Sequence, residues 1–162
     1  MTESDASEVA RAVGEKLTAL DDMIPSLGIT LDEIRPGYAR MSMDVRNDMV
    51  GPHGVCRGFH LFALGDMASG FACCSWNRNA VAQRTDVFFM SAVKLGDRLS
   101  VEAAETSTVG RNAVYDVRIV NQGGNTVTLF RCQCRLLDGP VVENLPMLRQ
   151  DSAQPRQRIS FN

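Results

Sequence analysis

The sequence lacks the features that mark membrane, secreted and nucleic-acid-binding proteins. Its longest apolar stretch, residues 59–76, is interrupted by His60 and Asp66 and falls short of the roughly 20 residues that span a bilayer. The first residues contain neither the basic nor the apolar segment of a secretory signal. The net charge of −2 gives no positive excess for binding nucleic acid or an anionic membrane surface. We therefore expect a cytoplasmic protein that binds neither.

Metal and cofactor motifs are missing as well. The five cysteines are odd in number and none belongs to a C-x-x-C pair. Cys132 and Cys134 would face the same side of a strand, and free buried thiols pack as small apolar groups. We interpret the cysteines as free core residues, and a zinc site that joins them to the two histidines is the alternative. The sequence contains no Gly-rich phosphate loop, no Ser-His-Asp order and no metal-binding cluster, so no metal is expected.

The length and composition predict one globular domain with two short additions. The chain has 162 residues, of which 44% are hydrophobic and 22% charged, as in an ordinary soluble domain. We divide it into an N-terminal helical lead-in (1–25), the domain itself (26–140) and a polar C-terminal tail (141–162). From about Asn144 the tail is expected to fray or to pack loosely.

The lead-in predicts an acidic amphipathic helix. Asp5 or Ser7 is suited to cap its start, and Pro25 is expected to end it. The predicted apolar stripe consists of Val9, Val13, Leu17 and Leu20.

The domain is dominated by the period-2 alternation of β-strands. Residues 38–45 alternate, and residues 27–34 can pair with them through a turn at Arg35-Pro36-Gly37. Four further strands are predicted at 81–93, 99–107, 113–120 and 126–137. The first of these four is apolar enough to be buried, and a Gln-Gly-Gly-Asn hairpin turn at 122–125 precedes the last.

One long helix, from Gly58 to about Ser75, lies between the second and third strands. It is apolar almost all round, which predicts burial on every side. Gly65 and Gly70 weaken it by about 1 kcal/mol each relative to alanine, so packing must compensate. The element order predicts an α+β fold, in which an antiparallel sheet of about six strands wraps around this central helix.

Asp66 is the only carboxylic acid between Arg57 and Arg78. An aspartate in a helix interior has poor propensity and cannot cap, and burying it without a partner costs several kcal/mol. Acids in unusual environments concentrate in active sites, so we interpret Asp66 as a functional carboxylate. The structural alternative is an aspartate on one solvated stripe of the helix, or one held in a salt bridge.

Two segments, 49–66 and 121–131, resemble the hotdog-fold acyl-CoA thioesterases, in particular the branch that takes part in phenylacetic acid degradation. The resemblance covers about residues 38–137. Other landmarks in register are Leu95-Gly-Asp97, Gly110-Arg111, Tyr115-Asp116-Val117 and Phe130-Arg131. The resemblance implies a hotdog fold.

It also implies an activity. Enzymes of this family hydrolyse acyl-CoA thioesters: a backbone N–H at the helix start polarises the carbonyl, and an aspartate of the helix acts as general base or nucleophile. Gly58 matches the first position and Asp66 the second. A free N–H at a helix N-terminus suits an oxyanion on physical grounds as well. The implied substrate is an aryl-acetyl or other small to medium acyl-CoA, with CoA as part of the substrate and no bound cofactor.

The spacing of these two residues has a consequence for assembly. Eight helical residues separate Gly58 from Asp66 by about 12 Å, so one carbonyl cannot touch both in the same chain. If both act on one thioester, they come from different subunits and the site lies at a dimer interface. The family forms dimers that often pair into tetramers, and we expect a homo-oligomer, a dimer or a homotetramer.

Three positions depart from the family pattern. Arg57 replaces a histidine, Phe59 replaces a second glycine, and Gly51 replaces an asparagine. We include all three as substrate-binding positions. Arg57 is placed either to hold the opposing Asp66 as a carboxylate or to plug the site. Phe59 is interpreted as a core residue, and a narrower or more aromatic acyl pocket is the alternative.

Five other residues have weaker signals. His53 is interpreted as a surface residue and His60 as a helix-packing residue. Arg111 is a candidate for the CoA phosphates, and a solvated strand-end arginine fits equally. Thr85 and Met90 are candidates to line the acyl pocket, with ordinary packing as the alternative.

The main alternative function is a non-catalytic hotdog protein that binds acyl-CoA or a related ligand, which Arg57 and the missing asparagine favour. A hotdog hydratase or dehydratase would need a histidine near its acid, and no histidine follows Asp66.

Overall fold

The computed structural model describes residues 2–148. Its elements in chain order are α1 (Glu3–Leu20), α2 (Met23–Leu27), β1 (Ile29–Arg35), β2 (Tyr38–Asp44), a 3-10 turn (Asn47–Met49), α3 (Gly58–Cys74), β3 (Ala80–Phe89), β4 (Arg98–Val109), β5 (Asn112–Val120) and β6 (Thr126–Leu136). Within this part of the chain, six strands form one antiparallel sheet in the order β1-β2-β4-β5-β6-β3. The predicted α+β architecture is confirmed.

The alternation of side chains explains how the sheet wraps around α3. On β4, β5 and β6, side chains are buried at nearly every second position, and this face packs against the helix. The turns agree with the sequence: Gly37 joins β1 to β2 with a φ of +74°, and Gly124 lies before β6 with a φ of +77°. The five cysteines are free and buried, as predicted, and the Sγ atoms of Cys132 and Cys134 lie 3.7 Å apart.

Strand β3 differs from its prediction as a buried strand. It ends at Phe89 and pairs only with β6, so its other edge has no partner strand among residues 2–148. Most of its side chains are solvent-accessible, with Val81 50% and Phe88 67% exposed. A run of apolar residues indicates that the strand is buried, but it does not tell whether the same chain or another molecule buries it.

The prediction that α3 is buried on every side is also wrong. One face of the helix is exposed or half-buried, and we call it the open stripe. Its residues recur at three- and four-residue spacing: Phe59, Phe62, Ala63, Asp66, Met67 and Gly70. The curved sheet covers the remaining faces. The open stripe is therefore the part of the helix that a ligand or a second molecule can reach.

Helix α1 begins earlier than predicted. Thr2 is the N-cap: its hydroxyl accepts a hydrogen bond from the Asp5 N–H at 3.2 Å, and the Asp5 carboxylate accepts one from the Thr2 N–H at 2.8 Å. This reciprocal arrangement is a capping box. Asp5 therefore occupies the third helical position instead of the cap, and Ser7 lies inside the helix.

The apolar stripe of α1 is confirmed except at its last position. Val9 and Val13 are buried and Leu17 is half-buried, but Leu20 is 71% exposed. The helix ends at Leu20, before Pro25, which lies within the short helix α2. Proline is tolerated there because the first turn of a helix needs no N–H donor from it.

Residues 144–148 do not fray. Leu148 is buried, and its N–H donates to the Trp76 carbonyl at 2.8 Å. The amide nitrogen of Asn77 donates to three backbone carbonyls, those of Val142, Leu145 and Pro146, at 3.0, 2.9 and 3.2 Å. A buried amide fixed this firmly anchors the segment to the end of α3. The rest of the predicted loose tail, residues 149–162, lies outside the described residues. No helix of residues 2–148 is both long and apolar enough to cross a membrane.

Candidate active site

Asp66 lies in the middle of α3, on the open stripe. Its carboxylate has no hydrogen-bond or ion-pair partner among residues 2–148, and burial raises its pKa above the ordinary value for aspartate. The salt-bridge alternative is therefore not found in this part of the chain. The side chain does lie on the solvated stripe, half-buried between apolar neighbours, where a proton-accepting group can meet a ligand.

A small group of polar side chains lies under the turn that contains Asp66. The Ser69 hydroxyl donates to the Asp66 carbonyl oxygen at 2.8 Å. The Thr85 hydroxyl, on β3, donates to the Cys132 Sγ at 3.6 Å, and the Ser69 side chain lies near the same sulfur. Thr85 is therefore brought near the Asp66 turn from the adjacent strand. We call these residues the acid group: Asp66, Ser69, Thr85 and Cys132.

The start of α3 is uncapped. Arg57 is the N-cap residue, its side chain makes no capping hydrogen bond, and the first turn contains no acid. The backbone N–H groups of Gly58 and Phe59 have no acceptor among residues 2–148. Two free donors at the positive end of a helix dipole form a site for an oxygen atom that gains negative charge.

The ring of Phe89 fills the space beside Gly58. A Cβ at Gly58 would lie 2.9 Å from the Phe89 Cζ, closer than side chains approach one another. Phe89 remains 51% exposed, so its other face borders the open space. Sequence reasoning missed Phe89 and chose Met90, which lies just past β3 with 50% of its side chain exposed. Only the packing of the strand end on the helix start reveals the Phe89 contact.

Arg57 lies across Gly51. The Arg57 Cγ, Cζ and Nε atoms are 3.5, 3.6 and 3.7 Å from the position of a Cβ at Gly51. The Arg57 N–H donates to the Met49 carbonyl at 2.9 Å, and the Gly51 N–H donates to Val55 at 2.9 Å, so the loop before the helix is closed by hydrogen bonds. The structure thus brings together two of the three departures from the family pattern.

Phe59 is not a core residue. It is 62% exposed at the start of the open stripe, and its ring lies 4.1 Å from that of His60. The core interpretation is wrong because position 59 faces away from the sheet, and the alternative of an aromatic acyl pocket is retained. His53 is exposed, as expected. His60 is half-buried, its Nε2 has no hydrogen-bond partner in the described chain, and burial lowers its pKa.

Arg111 lies at the other end of the molecule. Its guanidinium pairs with Asp138 at 2.8 and 3.1 Å. This part of the chain is joined to the C-terminal end of α3, since the Asn79 N–H donates to the Gly139 carbonyl at 3.2 Å. The helix is about 25 Å long, so within one chain Arg111 is distant from Gly58.

The predicted residues therefore fall into two groups on one helix. The start group consists of Gly51, Arg57, Gly58, Phe59 and Phe89. The acid group lies about 12 Å further along the helix axis. The start group contains hydrogen-bond donors but no base, and the acid group contains a base but no donors for an oxyanion. Neither group alone is sufficient for acyl transfer. Residues 2–148 bring together no set of three histidine, cysteine or acidic side chains that could hold a metal.

A separate depression of about 350 Å³ lies on the outer face of the sheet, across β3, β5 and β6. Its acids are engaged: Asp116 pairs with Arg131 at 2.7 Å, and Asp86 pairs with Arg84 at 3.2 Å. It offers no free nucleophile or base, and the open stripe is the better candidate for the chemistry.

Comparison with known proteins identifies relatives over most of the chain. The thioesterase superfamily matches residues 53–128. The acyl-coenzyme A thioesterase PaaI of Escherichia coli is 34% identical over 121 residues, which cover 75% of this chain and 86% of that protein. The solved structure of the E. coli PaaI protein from the phenylacetic acid degradation operon has a TM-score of 0.81 and 32% identity, and the match covers 83% of this chain and 97% of that one. A variant of the PaaI protein of Thermus thermophilus has a TM-score of 0.69 and 30% identity, with 72% and 100% covered. The expected hotdog fold is confirmed.

Proposed function

Because this chain belongs to the thioesterase superfamily and is an acyl-CoA thioesterase, we propose that Gly58 and Asp66 act together on the thioester carbonyl. The proposal rests on the unpaired polar groups of α3. Its first N–H groups have no acceptor in the described chain, and its one carboxylate is half-buried and unpaired on the open stripe.

In the proposed reaction, the Gly58 N–H donates to the carbonyl oxygen of the thioester. Asp66 accepts a proton from water as the water oxygen bonds to the carbonyl carbon, and the resulting oxyanion is held at the helix start. The C–S bond then breaks, and the CoA sulfur takes the proton back from Asp66. The products are the free acid and CoA, and no other cofactor takes part.

Asp66 as a nucleophile is the competing mechanism, in which its oxygen attacks the carbonyl and water hydrolyses the resulting anhydride. Burial within its own chain raises the pKa of Asp66, and both mechanisms require its carboxylate in the ionised form. A single turnover in ¹⁸O-water distinguishes the two mechanisms. If Asp66 is a base, the peptide that contains it gains neither ¹⁸O nor an acyl group. If Asp66 is the nucleophile, rapid quenching traps an acyl group on this peptide, and the peptide gains ¹⁸O when water attacks the Asp66 carbonyl of the anhydride.

The proposed active unit is a homodimer. Strand β3 has an open edge, and the apolar side chains of Val81 and Phe89 on it are half exposed. A second copy that pairs with this edge about a two-fold axis would run its α3 antiparallel to the first. The start group of each copy would then lie opposite the acid group of the other. One thioester could contact Gly58 of one copy and Asp66 of the other, although the two residues are about 12 Å apart within one chain. Pairing of dimers into a homotetramer follows from the family resemblance alone, and a cytoplasmic location stays an expectation.

We propose an aryl-acetyl or other small to medium acyl group as the substrate moiety. Three aromatic rings lie on the approach to Gly58: Phe59 and Phe62 belong to the open stripe, and Phe89 packs beside Gly58. Aromatic walls favour planar apolar groups through offset or edge-to-face contacts. Thr85 and Met90 are retained as neighbours of this pocket. Arg111 is retained only for the distal phosphates of CoA, because it is remote from Gly58.

The first test measures CoA release from short, medium and aryl acyl-CoAs by the native protein and by Asp66→Asn. We expect the variant to lose at least about 100-fold in kcat, as for removal of a general base. Asp22→Asn is the matched control, because Asp22 is exposed and its side chain makes no capping hydrogen bond. Full turnover in Asp66→Asn would remove this residue from the mechanism. Saturable binding without turnover in the native protein would favour the acyl-CoA-binding alternative.

A mixing experiment tests whether the site is shared between subunits. Asp66→Asn lacks the base, and Gly58→Pro lacks the N–H donor. Heterodimers of the two inactive variants contain one site with both defects and one intact site. Co-expression with two affinity tags should therefore recover activity in the mixed fraction. If purified heterodimers remain inactive while both variants fold, the shared site is rejected.

A further inference from the structure

Arg57 is in an electrostatically unfavourable position for an isolated chain. It is the N-cap residue of α3, where the helix dipole is positive, and its guanidinium has no carboxylate partner among residues 2–148. A cation at this end of a helix is unfavourable unless an anion joins it. The side chain is nevertheless folded back across the loop at Gly51.

The position of the guanidinium depends on residue 51 having no side chain larger than a methyl group. A Cβ alone would fit, because its contacts of 3.5–3.7 Å with Arg57 are of ordinary van der Waals length. The next atoms of a longer side chain, such as an amide, would extend into the volume that Arg57 occupies. Glycine at 51 and arginine at 57 are thus mutually compatible, and a polar side chain at 51 competes with Arg57.

We propose that Gly51 and Arg57 form one positioning unit that holds the carboxylate of Asp66 from a second copy in its ionised form. This inference rests on the proposed shared site: Arg57 directly precedes Gly58, so a carboxylate that serves the Gly58-bound carbonyl lies within reach of the guanidinium. Among residues 2–148, Asp66 has no counter-ion and Arg57 has no anionic partner. Each residue supplies what the other lacks.

Other charged groups near these residues do not replace the pair. His60 follows Arg57 on α3, and Asp48 lies close to His60, but Asp48 is already paired with Arg46 at 3.0 Å. Lys94 reaches the same loop through the bridge between Val55 and Lys94, and it adds only positive charge. Around Asp66, burial is the one cause of its raised pKa, and no charged neighbour in the described chain contributes.

The pH dependence of kcat/KM tests the proposal in the full-length protein. At low pH, kcat/KM falls as Asp66 becomes protonated, and we call this part of the profile the acid limb. Arg57→Gln should move the acid limb to higher pH by about one unit or more, because an opposite charge at contact distance lowers a carboxyl pKa by that amount. The sign follows from the loss of the cation: without it, Asp66 becomes protonated at a higher pH and loses activity there. Arg57→Lys should retain most of the native profile.

Two substitutions at position 51 distinguish loss of the Gly51–Arg57 unit from a general disturbance of the loop. Gly51→Ala should leave the acid limb in place, because its Cβ fits. Gly51→Asn should displace the guanidinium and shift the limb as Arg57→Gln does, with no additional shift in the double variant. His53→Gln is the control in the same loop, because His53 is exposed.

The outcomes distinguish this inference from the proposed function. If Asp66→Asn is inactive but the acid limb is unchanged in Arg57→Gln, the positioning unit is wrong and the shared site survives. If Asp66→Asn is active, the proposed function fails first. If Arg57→Gln raises the KM for acyl-CoA but leaves the acid limb unchanged, Arg57 binds the nucleotide part of CoA and does not contact Asp66. Faster turnover of Arg57→Gln at every pH would show that Arg57 plugs the site.

Discussion

The ring of Phe130 lies directly against Gly65: a Cβ added to this glycine would be 2.5 Å from the Phe130 Cζ. Phe130 is itself buried, and its ring centroid is 5.9 Å from that of Phe62 on the open stripe. Gly65 immediately precedes Asp66. The contact therefore sets how closely β6 approaches the turn of α3 that carries the proposed base.

Gly65→Ala should destabilise the protein. The added methyl group cannot fit without moving Phe130, and overpacking of this kind costs about 1–3 kcal/mol. Gly70→Ala is the matched control in the same helix, since no atom of residues 2–148 lies within 4 Å of its Cβ position. It should stabilise the protein by about 0.5–1 kcal/mol, because alanine is the better helix former. Urea unfolding measures both, and equal effects at the two positions would contradict the packing argument.

Comparison of Gly58→Pro with Gly58→Ala isolates the proposed N–H donor. Both substitutions add a Cβ that meets Phe89, but only proline removes the N–H, and the first helical position tolerates proline. We expect Gly58→Pro to have a kcat at least about 100-fold below that of Gly58→Ala, the usual loss for one oxyanion donor. Phe89→Ala in both backgrounds relieves the crowding. Equal rates for the two variants would eliminate the Gly58 N–H as the donor.

Phe59→Ala should change which acyl groups are hydrolysed. The exposed ring borders the open stripe, so its loss removes aromatic contacts worth about 0.5–1.5 kcal/mol beyond the buried area. We expect the ratio of kcat/KM for phenylacetyl-CoA to that for a straight-chain acyl-CoA to fall several-fold. Phe88→Ala is the control: it is 67% exposed but lies on the outer face of the sheet. A ratio unchanged by Phe59→Ala would exclude this ring from the acyl pocket.

Asn77→Ala should destabilise the protein by about 2–4 kcal/mol, because it leaves the carbonyls of a buried segment without their donor. Asn77 also has a φ of +56°, which alanine adopts poorly. Asn77→Gly loses the same hydrogen bonds but accepts this φ, so it should be the less damaging variant. Thermal unfolding of both measures the two contributions. A more stable alanine variant would show that backbone strain is unimportant here.

The positions of most strands along the chain could be predicted because alternation records which side chains face the helix. β1, β2, β5 and β6 were located to within about two residues. The start of α1 was misplaced because Thr2 and Asp5 cap reciprocally, and sequence alone offers several competing caps. The open stripe was missed for a different reason. The apolar composition of α3 predicts that all its faces are buried, but it does not tell whether the same chain or another molecule buries each face.

The site was partly accessible to sequence reasoning. Asp66 is singled out as the only acid of an apolar helix and Gly58 by the family resemblance, and the geometry of a straight helix already separates them. Their catalytic roles stay predictions. Contacts between remote segments were not accessible, as the Phe89 ring on Gly58 and the Arg57 side chain on Gly51 show. These contacts depend on strand ends and loop closure, which no local pattern encodes.

The two long helices begin in opposite ways. The first turn of α1 satisfies its own donors through Thr2 and Asp5, whereas that of α3 leaves the Gly58 and Phe59 amides without acceptors in the described chain. Amide hydrogens at the start of α3 should therefore exchange with solvent faster than those in its buried middle turns, and an occupied site should slow them. Helix α1 is capped by its own residues, whereas in the proposed mechanism α3 receives its cap only when a ligand oxygen binds.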